Sequence, residues 1–371
     1  MSIITRYLLR SFLGPLLLCF VCFNALFIIF DLFGQVSKFI DIRAGAPAVL
    51  KYYGGMLSMF SHWFIPASCL LATLYTMWQL SRHSELTALR ASGISFTSLT
   101  MPFVGVALCA TAVTFLMLEV VAPVAGVWSD QFKENTIVSG GTNRHARRNF
   151  DYIDPATSHN WFFAQADLSS IRRMSKPSGR VVVKRTNDDG SFWMLRTDRA
   201  EYLDGVWWFW NPREFNYVID SHGGGAPEDE AFVDDPDLPV PVYELTADPR
   251  DIVMEQRAEE LVSARDQRRL LALHESHAAK AEKWYEYYYR LTAPWACVVI
   301  TIFAIPAGIS TGRQSMIKGV ILALAAFFGF YALTLAMKFM GYHNIIPPLP
   351  AALFPSLVFL GVGVVSFRRL V

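Results

Sequence analysis

Long apolar runs separated by short charged segments dominate this sequence, and their lengths predict its architecture. Uncharged runs occupy 11–30, 52–81, 91–118, 291–312, 319–337 and 351–367, the last a little shorter than the rest. A helix of about 20 apolar residues is long enough to cross a hydrocarbon core, where it satisfies its own backbone hydrogen bonds. Six membrane-spanning helices are therefore predicted. Arg6 and Arg10 precede the first run as they would in a signal peptide, but no small-x-small cleavage site follows it. The run is also long for an h-region, so it reads as an uncleaved first span.

Between the third and fourth runs the pattern changes. "GRVVVKRT" (179–186) and "SFWMLRTDRAEYLDGVWWFWN" (191–211) are rich in valine and aromatics and read as strands. Asp204-Gly205 between two such runs is a hairpin signal. In "VWWFW" (206–210), Trp207 and Phe209 alternate with Trp208 and Trp210, so a period of two cannot choose the inward pair. "SHGGGAPEDEAFVDDPDLPVP" (221–241) has no apolar period and reads as a mobile acidic loop. The predicted organisation is spans one to three in 1–125, a β domain in 126–253, a juxtamembrane helical connection in 254–290, and spans four to six in 291–371. The fold class is an α-helical membrane protein with six transmembrane helices and an inserted β domain.

Basic residues orient the spans, because lysine and arginine stay on the cytoplasmic side. Arg6 and Arg10 flank the first span, and Arg82 and Arg90 lie between the second and third. Arg313 and Lys318 lie between the fourth and fifth, and Arg368 and Arg369 follow the sixth. With alternating spans all four sets fall on one side, so both termini are expected in the cytoplasm and the β domain across the membrane. Tyr and Trp at 284–295 match an interfacial aromatic belt. The formal net charge of +1 provides no global basic field for nucleic acid.

Candidate chemistry is sparse. Cys19, Cys22, Cys69, Cys109 and Cys297 all lie in apolar runs, which excludes a disulfide framework in the polar middle. Cys19 and Cys22 have C-x-x-C spacing without a second pair, and packing is the expected role. "AGISTGRQS" (307–315) fails as a phosphate loop: Arg313 replaces the lysine, the glycines are misplaced, and a membrane helix precedes it. "HESH" (274–277) is not H-E-x-x-H and has no evident third ligand. No catalytic residue, metal site or ATP site is predicted. Asp31, Glu119 and Lys338 lie near the outer span ends, where snorkelling and a functional role are both open. Lys38, Arg43 and Lys51 follow the first span and are placed to meet anionic headgroups or a phosphorylated substrate; Asp31 lies beside them.

One segment stands out between the second and third runs. In "SRHSELTALRASGIS" (81–95), Ser84 or Ser81 suits a helix N-cap and Gly93 suits the C′ position. Leu86 and Leu89 share one face, flanked by Glu85 and Arg90. The predicted helix, 84–93, is too short to span. Its apolar knobs suit either a groove on a partner or the membrane surface, and the lack of a lysine-rich face weakens the second reading.

That segment closely resembles the coupling-helix signature of the YjgP/YjgQ permease family, the LptF and LptG subunits of the lipopolysaccharide transporter. "ITRYLLRSFLGPLLL" is similar to the family's beginning, "YRLTAPWACVVITIFAIPAG" to the start of its fourth span, and "IIPPLPAALFPSLVFLGVG" to its last span. "DRAEYLDGVWWFWN" resembles a strand pair of its periplasmic β-jellyroll. "EVVAPVAG" and the IPP-containing ending are more similar to LptG than to LptF, although LptG-type relatives tend to carry a basic residue where this chain has Asp31. The resemblance implies a permease subunit in the bacterial inner membrane that extracts lipopolysaccharide, in the service of outer-membrane biogenesis. It implies an LptB-like cytoplasmic ATPase dimer, a second LptF/LptG-type subunit, and an LptC/LptA-like periplasmic bridge of jellyrolls. It places ATP and Mg²⁺ in the ATPase, with no cofactor in this chain. It also assigns Glu85, Leu86, Leu89, Arg90 and Gly93 as the docking set. Two rival classes are a membrane sensor with a ligand-binding β domain and a mechanotransmission permease that moves no substrate through its spans.

Overall fold

Six helices among the described residues are long and apolar enough to cross a membrane. The computed structural model describes residues 3–41, 45–133, 146–154, 157–167, 180–186, 191–219, 225–232, 239–255, 261–273, 277–309 and 316–369. Helix α1 (Ile3–Asp41) is followed by α2 (Ala46–Arg82) and the short α3 (Glu85–Ala91). The third span begins as α4 (Phe96–Leu116), continues as a π-helix (Met117–Gly126) and ends as α5 (Val127–Phe132). After the β strands come α6 (Pro249–Glu255), α7 (Ala264–Leu273) and α8 (His277–Thr292). A single 3₁₀ turn (Ala293–Trp295) joins α8 to α9 (Ala296–Gly308), and α10 (Met316–Tyr342) and α11 (Pro348–Arg368) complete the chain.

The chain divides into two units: Met1–Ser129 with Glu259–Arg268 and Ser276–Val371, and Asp130–Ala258 with Arg269–Glu275. In the first, α2 is the most buried span. Its buried Ser58, Ser61, Ser68, Thr73 and Thr76 are small, so neighbouring backbones approach closely. Each hydroxyl donates to a carbonyl of its own helix three or four residues back, at 2.6–2.8 Å, which leaves no donor unsatisfied in an apolar setting. At Gly308 of α9 an added Cβ would lie 2.7 Å from Met77 Cβ and 3.1 Å from the Leu74 carbonyl, so only glycine fits there. Pro66 cannot donate to the carbonyl four residues earlier, that of His62. The Tyr331 hydroxyl donates to that carbonyl instead, at 3.4 Å, as membrane helices require of a neighbour.

The second unit is a jellyroll-like pair of antiparallel sheets. One has the order β1 (Ala146–Ile153), β2 (Asn160–Asp167), β3 (Val181–Thr186), β4 (Phe192–Thr197), β7 (Arg213–Ile219), β8 (Gly225–Phe232), and the other holds β5 (Arg199–Leu203), β6 (Val206–Trp210) and β9 (Val240–Val242). Asp204 and Gly205 take φ of +52° and +86°, the two positive values of a tight hairpin turn. Leu203 pairs with Val206 across it. The side chain of Thr197 donates to the Trp210 carbonyl at 2.6 Å where the chain leaves the larger sheet. Trp207 and Phe209 are fully buried, with Trp207 5.0 Å from Trp161 across the two sheets, while Trp208 and Trp210 are half-buried. The Trp207 indole donates to the Ala247 carbonyl at 2.8 Å, and that hydrogen bond accompanies the choice of face.

One expectation about the β unit is corrected. Within the segment expected to be an acidic loop, Gly225–Phe232 is strand β8, paired to β7 across a register shift at Asn216/Tyr217. A charged strand with a proline, Pro227, suits a sheet edge, which has no second neighbour to supply. The helical connection expected before the fourth span includes α8, which runs into α9 through the 3₁₀ turn. Glu286 and Arg290 of α8 each meet an opposite charge, as described below.

Candidate functional site

Helix α3 sits in the hairpin between α2 and α4 and ends in a fully formed Schellman cap. Gly93 takes φ +87°, its amide donates to the Arg90 carbonyl at 3.0 Å, and the Ile94 amide donates to the Leu89 carbonyl at 3.4 Å. Its beginning differs from expectation. Ser84 occupies the N-cap position with a left-handed backbone (φ +60°), and its side chain does not cap. Glu85 supplies the negative charge of the first turn, and its carboxylate accepts from the Tyr7 hydroxyl of α1 at 2.7 Å.

The two leucines face the bundle, Leu86 wholly and Leu89 in part. Leu86 is 7 % exposed and packs in a cluster with Leu8, Phe12, Leu80, Phe96 and Phe103, and Leu89 is half-buried against the same cluster. The expectation that Leu86 acts as an outward knob is therefore corrected: the bundle's own apolar core takes it, and takes Leu89 in part. The face left outside consists of Thr87, Ala88, Arg90 and Ala91. Arg90 is exposed and stands over the Phe96 ring at 5.7 Å. The sequence signal for Thr87, Ala88 and Ala91 was the complement of the leucine spacing: a helix with Leu86 and Leu89 on one side must turn those three to the other.

The residues expected to meet substrate are not gathered into one cluster. Asp31 accepts from the Tyr52 hydroxyl at 3.4 Å, beside a knot of Phe39, Tyr52 and Tyr53 rings that joins α1 to α2. Lys38 is exposed in the last turn of α1. Lys51 places its ammonium 4.2 Å from the Trp128 ring centroid. Arg43 lies outside the described residues, as do most of 307–315 and His274 of the HESH segment.

A polar group of residues that span periodicity did not reveal lies toward the bundle end opposite α3. Arg290 of α8 is buried, pairs with Glu119 of the π-helical segment at 3.5 Å and donates to the Leu118 carbonyl. Glu119 also accepts the Ala264 amide at 2.9 Å, which satisfies one donor at the start of α7. Lys338 of α10 pairs with buried Glu286 at 2.8 Å, and Tyr342 donates to the same carboxylate. Glu119 and Lys338 thus turn to partners inside the bundle. Charge in a low-dielectric setting persists where it is paired and hydrogen-bonded.

The geometry defines a class: a multi-pass membrane protein whose six spans carry an inserted two-sheet β unit and a short capped helix in the hairpin between the second and third. Over residues 6–369 the sequence matches the family described as lipopolysaccharide export system permease LptF/LptG. The chain belongs to that family, whose description covers both subunit types. Comparison with individual curated proteins finds no match.

Proposed function

We propose that this chain is the non-catalytic permease subunit through which a separate ATPase drives lipopolysaccharide out of the inner membrane. In this reading an LptB-like dimer binds ATP and Mg²⁺ and grips α3. A second LptF/LptG-type chain completes the lipid path, and LptC/LptA-like jellyrolls receive the lipid in the periplasm. Both termini lie in the cytoplasm, the β unit lies in the periplasm, and exposed Lys38 meets substrate phosphate. Asp31, held by Tyr52, positions α1 against α2.

The observation that carries the reading is the two-sided character of α3. Leu86 and Leu89 root it among α1, α2 and α4, while Thr87, Ala88, Arg90 and Ala91 remain outside. A helix rooted this way moves with its bundle as a rigid body, so closure of a gripping partner becomes displacement of the spans. Glu85 and Gly93 complete the rigidity, through Tyr7 and the C-terminal cap.

Thr87→Glu separates grip from seat. It adds bulk and charge to the exposed face, so co-purification of the ATPase and lipid export fall at least tenfold while thermal unfolding of the purified chain is unchanged. Undiminished ATPase capture by this variant would sink the docking assignment.

A further inference from the structure

The paired charges opposite α3 border a cavity of about 140 Å³ within the span unit, between α2, α8, α10 and the first turns of α7. One buried acceptor in its wall has no protein partner, and a histidine in the same wall offers a second. Gln267 is 7 % exposed, and its side-chain carbonyl has no hydrogen-bond partner. His62 is also 7 % exposed, and its Nδ1–H donates to the Met59 carbonyl at 2.9 Å, which leaves Nε2 as an acceptor at the cavity wall. A buried acceptor without a donor is destabilising, so an occupant that donates there is favoured. Two aromatic rings line the same cavity: Trp63 and Tyr331 stack with centroids 4.3 Å apart.

We propose that this cavity is a binding site for a phosphoethanolamine headgroup, the net-neutral zwitterion of an aminophospholipid. The ammonium donates to Gln267 and to His62 Nε2 and lies against an outer face of the Trp63–Tyr331 stack, where the ring quadrupole attracts a cation. The phosphodiester lies toward Lys338 and Arg290, which give the cavity its positive side. The balance of charge selects this chemistry. Both cations at the wall are already paired, Lys338 with Glu286 and Arg290 with Glu119 behind the lining, so nothing favours a net-anionic headgroup such as phosphoglycerol. A choline headgroup has the right net charge but no N–H donor for Gln267 or His62. The depth agrees, because α8 carries Trp284, Tyr287, Tyr288 and Tyr289 within two turns of the cavity, and such rings mark the headgroup level.

The test uses the full chain, purified and reconstituted in nanodiscs with equal parts of phosphatidylethanolamine, phosphatidylcholine and phosphatidylglycerol of matched acyl chains. Lipids that remain bound after delipidation are counted by native mass spectrometry. Phosphatidylethanolamine is expected to remain about tenfold over each competitor, the discrimination a lost charge-assisted hydrogen bond confers. Gln267→Leu is expected to erase that preference without lowering thermal stability. The comparison of the three lipids on the unaltered chain needs no variant and stands if Gln267→Leu fails to fold. Equal retention of all three lipids overturns the proposal and leaves a cavity filled by water only; so does an undiminished preference in a folded Gln267→Leu chain. A further arm adds lipopolysaccharide bearing phosphoethanolamine. Displacement of the bound phospholipid by it assigns the headgroup to the exported lipid, and no displacement assigns it to a resident phospholipid.

Discussion

Helices α1 and α2 are nearly the same length, 39 and 37 residues, yet they occupy opposite environments. In its most apolar stretch α1 is 6 % buried, whereas α2 is 72 % buried. The more apolar helix is the exposed one: Leu17, Leu18, Val21, Phe30 and Phe33 of α1 face outward. Inside lipid, apolarity gives no reason for helices to associate, since acyl chains are as apolar as leucine. What draws α2 inward is its serines, threonines and glycines, which permit contact, and the polar groups that contact can satisfy. The outward apolar face of α1 is the surface that lipid, or the second subunit proposed above, would cover.

The comparison breaks most readily at the buried charges. Arg290→Met leaves the Glu119 carboxylate without its cation in the bundle, and loss of one partner of a buried pair costs about 3–5 kcal/mol. A large fall in the unfolding temperature is expected, whereas Phe30→Ala on α1 should stay within about 0.5 kcal/mol of the parent. Equal effects would mean that burial in the bundle does not govern stability. Glycines sharpen the contrast at smaller scale. Gly308→Ala drives a methyl group against Met77 and the Leu74 backbone and should cost about 1–3 kcal/mol. Gly34→Ala on α1 meets nothing within 4 Å and should be neutral in the same melt.

The β unit extends the comparison to a setting where water competes for every polar group, and there the smallest effect is expected. His159 is buried against Trp193. Burial holds its imidazole below the ordinary value of 6.5, Arg185 adds to the depression, and Asp154 and Glu244 oppose it. The unfolded chain then binds more protons than the folded one just below pH 6.5, so stability falls as pH drops through that window. His159→Phe should flatten the fall between pH 7 and pH 5.5 in thermal melts; an identical slope in both proteins would remove the assignment.

How far the sequence could be read follows from the period of each element. The Asp204-Gly205 turn was legible because its two positive φ angles need residues of that kind. Strand β8 was not, because an edge strand of charged residues has neither an apolar face nor an alternation to detect. The pairing of Glu286 and Arg290 was not legible, because their partners lie on other helices and only the folded bundle brings them together. At α3 the sequence showed a capped helix with two leucines on one side. Which side faced the chain itself required the positions of Leu8 and Phe12, far away in sequence.

Run length and hydropathy alone therefore determined that this chain crosses a membrane six times around an inserted β unit, because the cost of unpaired backbone in hydrocarbon leaves few other solutions. Glycine and turn chemistry alone determined where α3 ends and where β5 turns into β6, because those conformations depend on local sterics. Tertiary structure decided which of two equally aromatic faces of β6 is inside, that Leu86 is a root rather than a knob, and that charges on separate spans meet as pairs. Each of those outcomes depends on contacts between residues distant in the chain, and an apolar or aromatic pattern is the same whichever neighbour it finally meets.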